Sequence, residues 1–293
     1  MASAAVKMPR AGVCGNNLAQ RWVGAYIRVM KRFIPFLKSD PFVAVIRLQG
    51  TIASGGRGLN DASLAPVIER AFAKGKPAAI ALEINSPGGS PAQSSLIAAR
   101  IRRLADEKKI PVFAFVEDVA ASGGYWLAVA ADEIFIDRSS IVGSIGVISA
   151  GFGLSEAIYR YGVERRVYTA GTSKSMLDPF KPENPEDVER LKGWLADLHA
   201  FFIDHVKTRR GPKLRDDPNL FTGEVWIGQK AMDQGLVDAI GHLVPTCKQR
   251  FGDKVKFRRY GLRRSLFQRF GAAIIGDTIG AIEDRAAFAR FGL

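Results

Sequence analysis

The run Ala120-Ala121-Ser122-Gly123-Gly124-Tyr125-Trp126 carries the strongest chemical signal in the chain. An apolar stretch, Val112–Val116, precedes it, and a helical pattern follows over roughly Gly124–Ala131. Ser122 is therefore expected at a helix N-terminus, where unsatisfied N–H groups and the positive dipole end favour a developing anion. Glycine after the serine lets a substrate backbone come close. This is the layout of a nucleophile elbow, without the glycine that precedes the serine in the lipase form. The same residues also suit an N-cap serine beside a close packing contact. A second signal, Asn85-Ser86-Pro87-Gly88-Gly89-Ser90, ends another apolar run. Such a loop can turn backbone N–H groups inward as an oxyanion hole, or it can be a plain strand-to-helix turn.

A serine nucleophile needs a base. The chain has three histidines. His199 and His205 fall within one long helical stretch, and His242 follows the turn Gly235–Asp238. None has a glycine-rich or strand-end setting, so all three read as surface or satisfied interior residues. Lysine is the alternative. It titrates near ~10.4 in water, so holding it neutral near pH 7 costs about 4 kcal/mol, which burial away from acids can supply. Most lysines here lie on charged helical faces. Lys174 differs: it sits in the polar loop Ala170-Gly171-Thr172-Ser173-Lys174-Ser175, with no acid before Asp178. Spacing alone does not bring it to Ser122.

The elements that must position these groups alternate. Phe42–Leu48, Ala78–Ile84, Val112–Val116 and Glu133–Ile136 read as short buried strands. Helical patterns cover Leu64–Phe72, Ser94–Glu107 and Gly124–Ala131 between them. Parallel strands covered by helices, an α/β fold, follow from that order. Beyond it, Val142–Ser149 reads as a strand or turn-strand, Leu154–Tyr161 as helix, and Arg165–Thr169 as extended. Asp187–Arg210 is a long helix with acids in its first turn and bases in its last, as the macrodipole prefers. A small helix is expected near Gly228–Gln234.

Taken together, Asn85-Ser86-Pro87-Gly88-Gly89, Ala121-Ser122-Gly123-Gly124-Tyr125, Gly143-Ser144-Ile145-Gly146-Val147 and Gly171-x-x-Lys174 resemble the signal peptide peptidase A (protease IV) family of serine proteases. Phe221-Thr222-Gly223 and Gly235-Leu236-Val237-Asp238 extend the resemblance, which covers about residues 42–246. It implies a Clp-protease/crotonase-like fold of stacked ββα units with covering helices. It implies Ser122 as nucleophile, Lys174 as general base, Ser144 as the hydroxyl that orients the lysine, and Gly89 and Gly123 as oxyanion donors. It implies peptide-bond hydrolysis in extended apolar peptides, such as remnant signal peptides or unfolded membrane-protein segments, with no metal or other cofactor. It also implies a homo-oligomeric ring in which one subunit's serine meets a neighbour's lysine. The chain departs from the family in having Ala170 where serine is common, and in showing an amphipathic segment where many members carry a transmembrane anchor.

Composition sets the frame. The chain has 293 residues, 47% of them hydrophobic, which is ample for a core and excludes disorder over most of its length. The two cysteines, Cys14 and Cys247, show no disulfide framework or metal spacing. The formal charge of +13 belongs to the ends: residues 1–39 carry seven Lys/Arg and no acid, and residues 247–293 carry eleven against four acids. The expected organisation is a basic amphipathic extension over 1–41, a catalytic domain over 42–246 and a basic extension over 247–293. Neither end carries a nucleic-acid motif, so peripheral contact with an anionic membrane is the preferred partner for the charge, with a membrane-associated or cytoplasmic location. Trp22, Tyr26, Met30, Phe33 and Leu37 recur at helical spacing opposite Arg21, Arg28, Lys31 and Arg32, as in a helix lying in the headgroup region. The same segment suits a helix packed on protein, or an organelle import signal in a eukaryotic setting. Leu262–Ile275 repeats the pattern more weakly. Two rival functions stand beside the peptidase. A crotonase-type acyl-CoA enzyme would use acids such as Glu117 and Asp118, and a membrane-associated scaffold would keep the fold without the chemistry.

Overall fold

The computed structural model describes residues 40–55, 58–171, 173–261 and 285–293. The amphipathic stretches expected over 22–37 and 262–275 lie outside them. The chain divides into Met1–Asp40 and Pro41–Leu293, and the second unit holds the sheet. Its first elements are β1 (Phe42–Gln49), α1 (Asp61–Ala73), β2 (Ala79–Ser86), α2 (Pro91–Lys108), β3 (Val112–Ala121), α3 (Gly123–Ala128), β4 (Glu133–Ile136) and β5 (Ile141–Gly143). Then come α4 (Ser155–Arg160), α5 (Pro185–Arg210), β6 (Val225–Ile227), α6 (Gln229–Asp233), β7 (Ala239–Ile240), α7 (Leu243–Phe251) and β8 (Lys256–Tyr260).

The sheet runs β6-β5-β3-β2-β1-β8, with β4 also on β3 and β7 on β4. Every pair is parallel except β5 with β6. Strand β3 serves two neighbours: Phe113–Val116 pairs with β4, and Val119–Ala121 pairs with β5. Buried Ser140 sits at this fork and donates to the Glu117 carbonyl. Both faces of the sheet are covered, which is why its central strands are nearly continuous apolar runs. On one face Ile46, Leu82, Ile84 and Ala114 pack with Ile68, Ile97 and Ile101 of the helices. On the other, Val43, Val45, Ala81, Phe113 and Phe115 meet Leu243 and Cys247 of α7. This is the α/β, Clp-protease/crotonase-like class expected from the sequence.

Local chemistry sets the helix limits. Ser90 caps α2, accepting from the Gln93 N–H, and Pro91 opens it. Asn184 and Pro185 do the same for α5, with Glu186 and Asp187 in the first turn and Lys207, Arg209 and Arg210 in the last. The sheet continues past residue 247. Strand β8 pairs in parallel with β1 from Phe42–Lys256 to Ile46–Tyr260, so the basic stretch supplies an edge strand before the residues that are not described. Residues 165–169, expected to be extended, form no strand and are exposed.

Candidate active site

Strands β2, β3 and β5 are neighbours and point the same way, so their C-terminal ends meet. The register pairs Ser86 with Ala120 and Ala121 with Gly143, which sets the Pro87–Gly89 loop, Ser122 and Ser144 side by side. Loop ends at one edge of a parallel sheet are where α/β proteins place their chemistry.

Ser122 links β3 to α3 with φ 51° and ψ −122°. Ser144, just beyond β5, has φ 50°. Positive φ in a residue with a side chain costs on the order of 1–3 kcal/mol and persists only where the surroundings impose it. Here they do: the Ser122 N–H donates to Gly143 O at 2.8 Å, and the Ser144 N–H donates to Glu224 O at 2.7 Å. Neither strained serine was legible as such in the sequence.

Glycines let the loops close together. A Cβ on Gly89 would lie 2.0 Å from Ile52 O, and one on Gly124 would lie 2.3 Å from Ser86 O. The parallel bridge from Ile52 to Gly89 uses Gly88 O and the Ser90 N–H, so the Gly89 N–H takes no part in it. The Gly123 N–H is the first of α3, one a helix cannot satisfy internally. A Cβ on Gly123 would be 3.3 Å from Gly89 N, so the two N–H groups are close neighbours.

A cavity of about 500 Å³ opens on these groups. Gly89, Ser122, Gly123 and Ser144 all line it. Sequence reasoning did not place Trp126, Leu198 and Phe202 there, yet they form an apolar wall, with Trp126 and Phe202 stacked at 4.9 Å. Trp126 follows Ser122 by one helical turn, a signal the sequence does hold; Leu198 and Phe202 come from α5 and left none. Thr222 and Gly223, quoted for their resemblance alone, reach the same cavity, as do Arg290 and Phe291.

Lys174 is exposed and is not among the residues lining this cavity. Its loop is tied to α5 by Arg190, which donates to Ser173 Oγ at 3.3 Å. The stretch before its loop, residues 148–168, exposes large apolar groups, including Phe152 at 86%, Tyr159 at 87% and Tyr168 at 89%. The carboxylates of the acyl-CoA alternative lie elsewhere. Glu117 accepts from Arg47 at 3.0 Å and Asp118 accepts from Asn85 at 2.6 Å; neither lines the cavity. Burial pushes the Glu117 carboxyl above its ordinary range, with Arg47 opposing.

The cavity, its backbone donors and its strained serines fit a hydrolase of the serine type, and comparison with known proteins gives the class. The model of "Peptidase family S49" matches residues 105–250, and that of "NfeD1b, N-terminal domain" matches residues 46–156. A putative protease of Synechocystis is 31% identical over 199 residues, 68% of this chain and 69% of that protein. The chain belongs to peptidase family S49, the signal peptide peptidase A family. The chloroplastic serine protease SPPA of Arabidopsis thaliana is 31% identical over 201 residues, 68% of this chain but 29% of that protein. A Brucella melitensis protein named Na(+)/H(+) antiporter NhaA is 48% identical over 287 residues, 90% of this chain and 39% of that protein. The chain thus spans about two fifths of the Brucella protein and under a third of the Arabidopsis one. Transport is in that protein's name alone; among the described residues of this chain, no helix is long and apolar enough to cross a membrane.

Proposed function

We propose that this chain is a serine endopeptidase with a Ser–Lys dyad, working as a homo-oligomeric ring. Ser122 attacks the peptide carbonyl, and the N–H groups of Gly89 and Gly123 stabilise the oxyanion, where loss of one donor typically costs ~3–4 kcal/mol. Lys174 of a neighbouring subunit takes the Ser122 proton, oriented by Ser144, and returns it to the leaving amine. Water then hydrolyses the acyl-enzyme. Substrates are extended apolar peptides, such as remnant signal peptides or unfolded membrane-protein segments, and the basic ends make peripheral contact with an anionic membrane.

One observation carries the reading. Ser122 and Ser144 line a single cavity, both at positive φ, together with Gly89 and Gly123. An exposed Lys174, following a stretch that exposes Phe152, Tyr159 and Tyr168, supports delivery of the base from one subunit to the next. A cavity walled by Trp126, Leu198 and Phe202 supports an apolar substrate. The test is labelling of the assembled protein by a fluorophosphonate probe. Wild type should label, and Ser122→Ala and Lys174→Ala should not. Labelling that survives Lys174→Ala would remove this lysine from the mechanism.

A further inference from the structure

Helix α5 holds both halves of the site by hydrogen bonds to backbone carbonyls, through two of the histidines that read in sequence as surface or satisfied interior residues. His199 Nε2 lies 3.0 Å from Ile145 O, the carbonyl that follows Ser144. His205 Nε2 lies 3.3 Å from Trp126 O, in the helix that Ser122 begins. A carbonyl only accepts, so each Nε2 carries the proton and donates.

The histidines are six residues apart, with Phe202 midway. At 100° per residue, positions 199, 202 and 205 span an arc of about 120°, so one side of α5 faces the site with all three. His205 also stacks on Trp126, ring centroids 4.7 Å apart at 16°. Burial holds the His205 imidazole below its ordinary range, against the Trp126 carbonyl, which favours the charged form. Further along, Arg209 donates to Val129 O and Ala131 O, each at 2.9 Å, past the end of α3. Of the last carbonyls of α3, those of Tyr125, Leu127 and Ala128 accept from the N–H groups of residues 129–131, and that of Trp126 is met from α5 by His205.

The two serines need such support. Residues 144–150 form no regular element. Ser144 is held by its N–H to Glu224 O and by the Gly146 N–H on its own carbonyl. His199 adds a side-chain bond to the Ile145 carbonyl, so the direction in which the strained Ser144 hydroxyl points depends on α5.

We infer that His199 and His205 are positioning residues: α5 uses them to fix the spacing between the Ser144 loop and the Ser122 helix. Neither transfers a proton to substrate. The inference rests on the proposed roles of Ser122 and Ser144. It leads to different kinetics at each position, because Ile145 O adjoins the catalytic hydroxyls, whereas Trp126 is also a wall of the cavity.

The experiment uses the full, assembled protein with an extended apolar fluorogenic peptide and a fluorophosphonate probe. His199→Leu should lower kcat and the labelling rate together by about tenfold, which corresponds to ~1.4 kcal/mol, with KM within about twofold. His199→Gln, whose amide reaches the same carbonyl, should return kcat to within about threefold of wild type. His205→Leu should raise KM as well as lower kcat. Wild-type kcat in His199→Leu overturns the inference. So does His199→Gln as slow as His199→Leu, or a lowered melting temperature that tracks the lost activity in both. Ser122→Ala separates the two levels: labelling that persists there removes the reading beneath the inference. A silent Ser122→Ala with His199→Leu at the wild-type rate removes the positioning role alone.

Discussion

Gly123 offers a sharp test of how the site is packed. It does not occupy the left-handed region, so alanine suits its backbone and as a helix residue gains about 1 kcal/mol over glycine. Space decides against it. A Cβ there would lie 2.4 Å from Ser94 Oγ, with Ile52 Cδ1 at 3.2 Å. Ser94 is fully buried in α2. Relieving such an overlap typically costs ~1–3 kcal/mol. It would also move the Gly123 N–H from its place beside Gly89, lowering kcat by about a hundredfold if that donor serves the oxyanion. Ser94→Ala removes the offending atom at little expense, because Ser90 O keeps the Ser94 N–H at 3.0 Å when the hydroxyl bond is lost. The double variant Gly123→Ala/Ser94→Ala should therefore recover most of the stability and activity, with a coupling energy of about 1–2 kcal/mol in its favour. Urea midpoints and peptide hydrolysis, read across the four proteins of the cycle, supply the measurement. A double variant no better than Gly123→Ala, or a Gly123→Ala protein indistinguishable from wild type, would refute the packing argument.

Other outcomes follow from the same geometry. Ser122→Gly should abolish labelling yet raise the urea midpoint, because relief of the positive φ outweighs the entropy of glycine by about 1 kcal/mol; a lower midpoint contradicts it. Asp238→Asn should destabilise the protein by ~3 kcal/mol, because it weakens the partner of the buried Arg210, held at 2.7 Å. Burial alone would raise the Asp238 carboxyl, but hydrogen bonds from Arg210, Lys213 and the Ile134 N–H outweigh it and hold it below the ordinary range. That contribution is complete above the unfolded carboxylate pKa near ~3.9 and disappears as pH falls through the folded value. Urea midpoints of wild type and Asp238→Asn should thus converge in acid; a gap that widens there contradicts the sign. Burial pushes the Cys247 thiol up to about 11, so iodoacetamide at pH 8 should spare Cys247 in the native protein and modify it once the chain unfolds, as read by peptide mapping. Rapid native alkylation of Cys247 would contradict that burial.

The parts of the fold that were legible are those whose pattern is local. Strands β1, β2 and β4 are mostly apolar runs, and α5 carries its own cap and charge order. Strand β3 was cut short at Val116 because Glu117 and Asp118 interrupt the run; their charges are met by Arg47 and Asn85 instead of breaking the strand. Strand β8, Lys-Phe-Arg-Arg-Tyr, reads as a charged tail. It is an edge strand whose Arg259 reaches Glu83 and whose Arg258 lies 3.7 Å over the Phe42 ring. Ser122 and the Pro-Gly-Gly loop stand out in sequence because turns declare themselves through small residues. The wall from Leu198 and Phe202, and the grip of His199 on Ile145, depend on how α5 crosses the sheet. Nothing within a few residues of them encodes that crossing.

The central claim is that Ser122 of one subunit is served by Lys174 of another. Co-assembly of Ser122→Ala and Lys174→Ala chains in equal amounts, each inert alone, measures it with a fluorophosphonate label. In a closed ring with random neighbours, half of the intact serines would face an intact lysine, so about a quarter of all sites should label, every one of them on a Lys174→Ala chain. Mixed rings that stay unlabelled would contradict the account.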